Sequence, residues 1–141
     1  NGNADDWGLF DKQADGDWLG EELVVNGGFD SDGGWTKSAG VIISGGVALY
    51  DVASNQYMSQ PFVGVAGSVF IAKMNVKSFT AGNIQFSIDG GVGPKWSAVG
   101  SYSVELTTAG INSKLYIPAD FSSGFNGSID NVSVKEVLKN A

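Results

Sequence analysis

From Glu22 onward the chain repeats one device: a short run of alternating apolar and polar residues, cut off by a glycine pair or by glycine beside a small polar residue. Alternation of period two sends every second side chain to one face of an extended strand, and paired glycines supply the backbone freedom of tight turns. Such a chain leaves no room for long helices and folds as short antiparallel strands. Asn83–Asp89 is the clearest run, with Ile84, Phe86 and Ile88 expected inside, Asn83, Gln85, Ser87 and Asp89 outside, and Asp89-Gly90-Gly91 ending it.

The same reading runs along the chain. Glu22–Phe29 is expected to be a strand that runs into Gly27-Gly28, and Val41–Val52 a pair of strands split at Ser44-Gly45-Gly46. Tyr57–Val65 reads as a strand that Pro61 assigns to an edge or a bulge. Ser68–Phe79 places Phe70, Ala72, Met74 and Val76 inside against Lys73, Asn75 and Lys77 outside. Ser101–Thr107 repeats this with Tyr102, Val104 and Leu106 inside, and Lys114–Ile117 and Gly127–Val137 follow. About eight to ten strands with no interior helix predict an all-β, antiparallel β-sandwich, and jelly-roll topology is expected over an immunoglobulin-like one.

Two runs near opposite ends of this region, ELVVNGGFDSDGGW over Glu22–Trp35 and GSIDNVSVKEV over Gly127–Val137, both carry carboxylates and turn residues inside an apolar alternation. They are expected to lie together and close the sandwich. In the second run Ile129 and Val132 sit three apart, so both can face inward only if the strand slips parity at Asp130-Asn131, which predicts a β-bulge there. Polar residues at an inward-facing break cost free energy unless something satisfies them, and Asp30 and Asp130 are the expected buried pair.

At 141 residues the chain suits one domain with a proper core. A net charge of −7 and the absence of arginine argue against nucleic acid, which calls for a basic patch and bidentate contacts. There is no cysteine and no histidine, which removes disulfides, thiolate chemistry, the commonest general base and the commonest transition-metal ligand. No apolar run reaches the roughly 18–20 residues of a membrane span.

Residues 1–21 differ from the rest, with six carboxylates against Lys12 and with Trp7, Leu9, Phe10, Trp18 and Leu19 among them. This segment is expected to form an acidic, extended N-terminal arm, residues 22–141 forming the sandwich. A solvated acidic tail does not ordinarily carry two tryptophans. Either they pack back on their own sandwich, or Trp7, Phe10 and Trp18 are anchors by which the arm docks on a neighbouring subunit.

The runs Asn26-Gly27-Gly28-Phe29-Asp30, Gly34-Trp35-Thr36 and Ser128-Ile129-Asp130-Asn131-Val132-Ser133-Val134 resemble carbohydrate-binding modules with a galactose-binding-like jelly roll, found beside glycoside hydrolases. In more detail, Trp35-Thr36-Lys37, Ser44-Gly45-Gly46-Val47-Ala48 and Phe125–Glu136 look like versions carried by bacteriophage virion proteins, in tail fibres and on head surfaces. The resemblance covers roughly residues 22–137. It implies a structural Ca²⁺ between the first and last strands, held by Asp30 and Asp130, with the Gly28 carbonyl and Asp51 as further ligands. An oxygen-only ligand set suits that ion. Otherwise Asp30 caps the following turn and Asp130 accepts backbone N–H groups at the bulge.

Sugar binding needs aromatic faces for C–H surfaces and amide or carboxylate partners for hydroxyls. Trp35, Tyr57, Asn75, Gln85, Trp96 and Tyr116 are the residues expected to provide them, with core packing or loop anchoring the competing role for Trp35, Trp96 and Tyr57. Catalysis is not expected. Asp30 with Asp130 is the one carboxylate pair to test for glycoside hydrolysis, but a nucleophile has no histidine partner and the glycine pairs are hairpin turns. The expectation is therefore a non-catalytic structural or surface protein of a virion, a capsid decoration or tail-fibre component that adheres to glycans. It would join other virion proteins through its arm, or assemble with copies of itself. The alternative is the carbohydrate-binding module of a secreted glycoside hydrolase.

Overall fold

The computed structural model describes residues 11–12, 18–52, 56–62, 66–111 and 113–138, and among them there is no helix. The described residues hold twelve strands in chain order: β1 (Asp11–Lys12), β2 (Trp18–Leu19), β3 (Thr36–Lys37), β4 (Val41–Ser44), β5 (Val47–Val52), β6 (Tyr57–Pro61), β7 (Val69–Gly82), β8 (Ser87–Ile88), β9 (Gly91–Val92), β10 (Gly100–Thr107), β11 (Lys114–Pro118) and β12 (Phe125–Leu138). They form a two-layered antiparallel β-sandwich. One sheet runs β10-β7-β12-β5-β4, with the β1–β2 pair joined to the far end of β12, and the other runs β3-β6-β11-β8-β9.

The alternation places the core as expected. Ala72, Met74 and Val76 of β7 face Ile84, Phe86, Ile88, Leu115 and Ile117 from the other layer, and all are essentially inaccessible to solvent. Between β4 and β5, Gly45 and Gly46 both take positive φ, +64° and +80°, as a two-residue primed turn requires. Tyr50 sits wholly in the core, and its hydroxyl donates to the Ile117 carbonyl at 2.6 Å, tying the two layers together.

β12 carries the expected bulge. The pairing jumps from Asp130 opposite Asn75 to Ser133 opposite Lys73, Asn131 takes φ +53°, and both Ile129 and Val132 are buried. Asp130, however, is only half-buried and Asp30 is exposed, so they are not the buried pair expected. Asp89 is a second correction, 1% exposed where an outward position was expected. The Asp89-Gly90 turn folds inward, and Asp89 Oδ1 accepts the Ser113 N–H at 2.9 Å.

The two end motifs do lie together, though not as two paired strands. Residues 21–29 are irregular. Along the flank of β12 that β5 leaves uncovered, Gly20 N–H donates to Glu136 O, Leu23 N–H to Val134 O, and Val132 N–H to Gly27 O. The Glu22 carboxylate itself accepts the Val134 N–H at 2.8 Å, standing in for a strand carbonyl. On the other side, buried Gln60 imitates a strand partner: its Oε1 accepts Val25 N–H while its Nε2 donates to the carbonyls of Val25 and Gly34. Gly27 approaches β12 so closely that a Cβ there would lie 2.0 Å from the Val132 carbonyl oxygen.

The boundary expected after residue 21 is not a break in this sheet. Leu19 is buried and pairs with Val137, and the backbone of Trp18 pairs with Leu138. Trp7 and Phe10, the other expected docking residues, lie outside the described residues, as does the Trp18 side chain.

Candidate functional site

The Asn26-Gly27-Gly28-Phe29-Asp30 run proves to be organised by its asparagine. Asn26 takes φ +58°, and its Nδ2 donates to the carbonyls of Ser31 and Gly33, both at 2.7 Å. Its Oδ1 accepts the Asp30 N–H, and its carbonyl accepts the Trp35 indole N–H at 3.0 Å. Trp35 is thereby drawn inside, 7% exposed, with its ring 5.9 Å from that of Phe29. Of its two expected roles, packing is the one the fold uses.

The four residues expected to hold calcium are not gathered at one point. Asp51 stands opposite Asn126 across β5 and β12, and the Asn126 amide reaches its carboxylate at 3.4 Å. Asp130 lies further along β12, about 13 Å away at the rise of a strand, whereas two ligands of one Ca²⁺ lie within about 5 Å. Asp130 Oδ1 accepts the Asn131 N–H at 2.7 Å, the bulge role that competed with calcium. The loop carbonyls of Ser31 and Gly33, hard oxygens of the kind a cation collects, already receive the Asn26 amide. Among the described residues no three or more acidic side chains converge. Asp51 therefore stands apart from the Asp130 end of this ligand set.

The six residues expected to bind glycan divide between places. Asn75 is half-buried on β7, in the β10-β7-β12-β5-β4 sheet. Trp96 is a packing residue, stacked on Tyr102 with centroids 4.7 Å apart and edge-on to Phe86 at 5.9 Å. Tyr57, Gln85 and Tyr116 do come together on the outer face of the other sheet, lining one groove of about 340 Å³.

The strand register explains this. Leu115 and Ile117 point into the core, so Tyr116 between them points out, and β11 pairs with β6 so that Pro118 faces Tyr57 and Tyr116 faces Ser59. The two tyrosines are therefore diagonal neighbours, rings edge to face at 5.2 Å and 80°. Ser87 is opposite Tyr116 on β8, and Gln85 is fixed at the groove by donating from Nε2 to Gly93 O at 2.9 Å.

The lip of the groove was not foreseen. Phe121 is 80% exposed at the tip of the turn between β11 and β12, and it lines the groove beside the tyrosines. Asp120 fixes this turn. Its Oδ2 accepts the backbone N–H and the hydroxyl of both Ser122 and Ser123, at 2.9–3.1 Å. Its Oδ1 meets Lys95 Nζ at 2.5 Å, with the carboxylate 7% and the lysine 53% exposed. The ammonium, helped by the serine donors, holds the Asp120 carboxyl well below the usual carboxylate range. In sequence Phe121 is one apolar residue inside a run of turn formers, and the only hint was its place after an aspartate that two serines follow.

A second, larger groove of about 500 Å³ crosses the outer face of the opposite sheet between Ile42, Leu49, Asp51, Ser78, Thr80 and Asn126. Among the described residues lining it there is no exposed aromatic ring, since the ring of Tyr50 is turned into the core. The smaller groove has the chemistry for stacking a ring ligand and the larger lacks it. Compared with models of protein families and with curated proteins, the chain matches none.

Proposed function

We propose that this chain is a non-catalytic glycan-adhesion module borne on a larger assembly. The observation that carries the reading is the groove in which Tyr57, Tyr116 and Phe121 stand around Gln85, Ser87 and Lys95. Aromatic faces and edges suit the C–H surfaces of a sugar, and an amide, a hydroxyl and an ammonium suit its hydroxyl groups. A groove of about 340 Å³ is at the small end of ligand sites, enough for a short stretch of a glycan.

The sandwich is read as a jelly roll. Supporting this, the chain passes from β6 in one sheet to β7 in the other, back to β8 and β9, over to β10, back to β11, and over to β12. The setting favoured by the sequence resemblance is the surface of a bacteriophage virion, as capsid decoration or tail-fibre component, with residues 1–21 providing attachment to other virion proteins or to further copies of the chain. The groove serves the alternative, a module of a secreted glycoside hydrolase, equally well.

A glycan array probed with the whole chain tests adhesion, and binding that is lost in the Tyr116→Ala variant is the expected result. No binding to any glycan rejects it. Capsid and portal genes beside the coding sequence would favour the virion setting, and a hydrolase domain in the same polypeptide would favour the alternative.

A further inference from the structure

We infer that the groove takes an uncharged sugar ring and turns acidic glycans away, with the Lys95–Asp120 pair as the device that sets this preference; the inference rests on the adhesive reading above. Among the described residues lining the groove, Lys95 alone is charged. Its ammonium is spent on Asp120 at 2.5 Å, beneath the lip that carries Phe121. A carboxylate or sulfate on an incoming sugar would have to share that ammonium with a carboxylate already seated on it and on four serine donors. It would also approach a chain of net charge −7. A neutral hydroxyl meets neither obstacle. It can accept from the outer N–H groups of Lys95, whose orientation Asp120 fixes before the ligand arrives.

The aromatic side of the groove is prepared in the same way. Phe121 lies 80% exposed, yet the turn beneath it is bound at both oxygens of Asp120, so its backbone carries little freedom to lose on binding. Asp120 is thus a positioning residue with two effects: it cancels the charge of Lys95, and it holds the third ring in place.

Affinity electrophoresis of the full chain tests this. The gels would contain neutral polysaccharides (galactomannan, xylan, mixed-linkage β-glucan, starch) or the polyuronides polygalacturonate and alginate, at about 0.15 M ionic strength. Retardation by at least one neutral polymer and by neither polyuronide is expected. Retardation by polyuronides alone, or by both classes alike, overturns the inference and leaves adhesion standing. Retardation by none overturns adhesion and the inference with it.

Asp120→Asn frees the ammonium, and this variant is expected to gain retardation on polygalacturonate, a gain lost again in the Lys95→Met/Asp120→Asn double variant. A folded Asp120→Asn protein with no such gain overturns the assignment. Should that variant fail to fold, Phe121→Ala serves, since its side chain is exposed. A roughly threefold to tenfold loss of affinity for the neutral polymer is expected with an unchanged melt, and unchanged affinity overturns the role of the lip.

Discussion

Replacing Gly27 by alanine tests how the two end motifs are joined. The new Cβ would lie 2.0 Å from the Val132 carbonyl oxygen and 3.1 Å from Val24 Cγ1, so the loop must move off β12 by an ångström or more. That movement breaks the Val132 N–H to Gly27 O hydrogen bond, 2.9 Å long. Losing the bond costs about 1 kcal/mol and relieving the overlap about 1–3 kcal/mol. The stiffer unfolded chain returns about 0.4–1 kcal/mol. The net loss is about 1–4 kcal/mol, or roughly 3–4 °C of Tm for each kcal/mol in a domain of this size.

Its neighbour is the control. A Cβ on Gly28 would meet nothing nearer than the Asp30 carboxylate at 3.7 Å, and Gly28 does not take positive φ. Gly28→Ala is therefore expected to leave stability unchanged or raise it by up to about 1 kcal/mol. Urea unfolding of both variants, with m-values compared to exclude a change in the unfolded state, gives the two numbers. Equal effects in the two variants would refute the close approach of Gly27 to β12.

Three other outcomes follow from the same structure. Because Asp120 is held below the ordinary carboxylate range, its contribution is fully present above the ordinary aspartate value of 3.8 and is lost as pH falls toward its folded pKa; acid melts of the wild type should therefore lose more between pH 5 and 2 than those of Asp120→Asn. Burial pushes the Tyr50 phenol well above its ordinary 10.0, so its contribution is complete below that pH and is lost as pH rises past it; Tyr50→Phe should remove this alkaline loss while costing about 1–2 kcal/mol at neutral pH for the bond to Ile117 O. Since Asp30, Asp51 and Asp130 do not converge, a chelator should leave the thermal melt unchanged, and a drop of several degrees would show that a cation is held after all.

The fold was legible where facing and burial follow period two. Ile84, Phe86 and Ile88 point inward as expected although only Ser87–Ile88 is formally strand there, because burial governs facing even where the ladder is interrupted. The bulge at Asp130-Asn131 was legible from the spacing of Ile129 and Val132 alone. Residues 22–29 misled because Leu23 and Val25 look like strand residues, yet their flank of β12 is completed by the carboxylate of Glu22, and Val25 is held by the amide of Gln60. Side chains that imitate backbone leave no periodic trace. The groove was half legible: Tyr57, Gln85 and Tyr116 were named, but Phe121 depends on a turn held by long-range contact between Asp120 and Lys95, which spacing does not encode.

The placement of β12 bears on how the molecule comes into being. The segment from Leu19 to Gly27 finds most of its backbone partners in the last stretch of that strand, and Glu22 is 112 residues from the Val134 N–H it accepts. During synthesis the segment from Leu19 to Gly27 must wait, its apolar residues without their native partner, until β12 has emerged. Contacts of such separation make for slow closure and for a vulnerable interval before it. A pause or truncation before β12 would thus release a chain with the Leu19–Gly27 segment adrift.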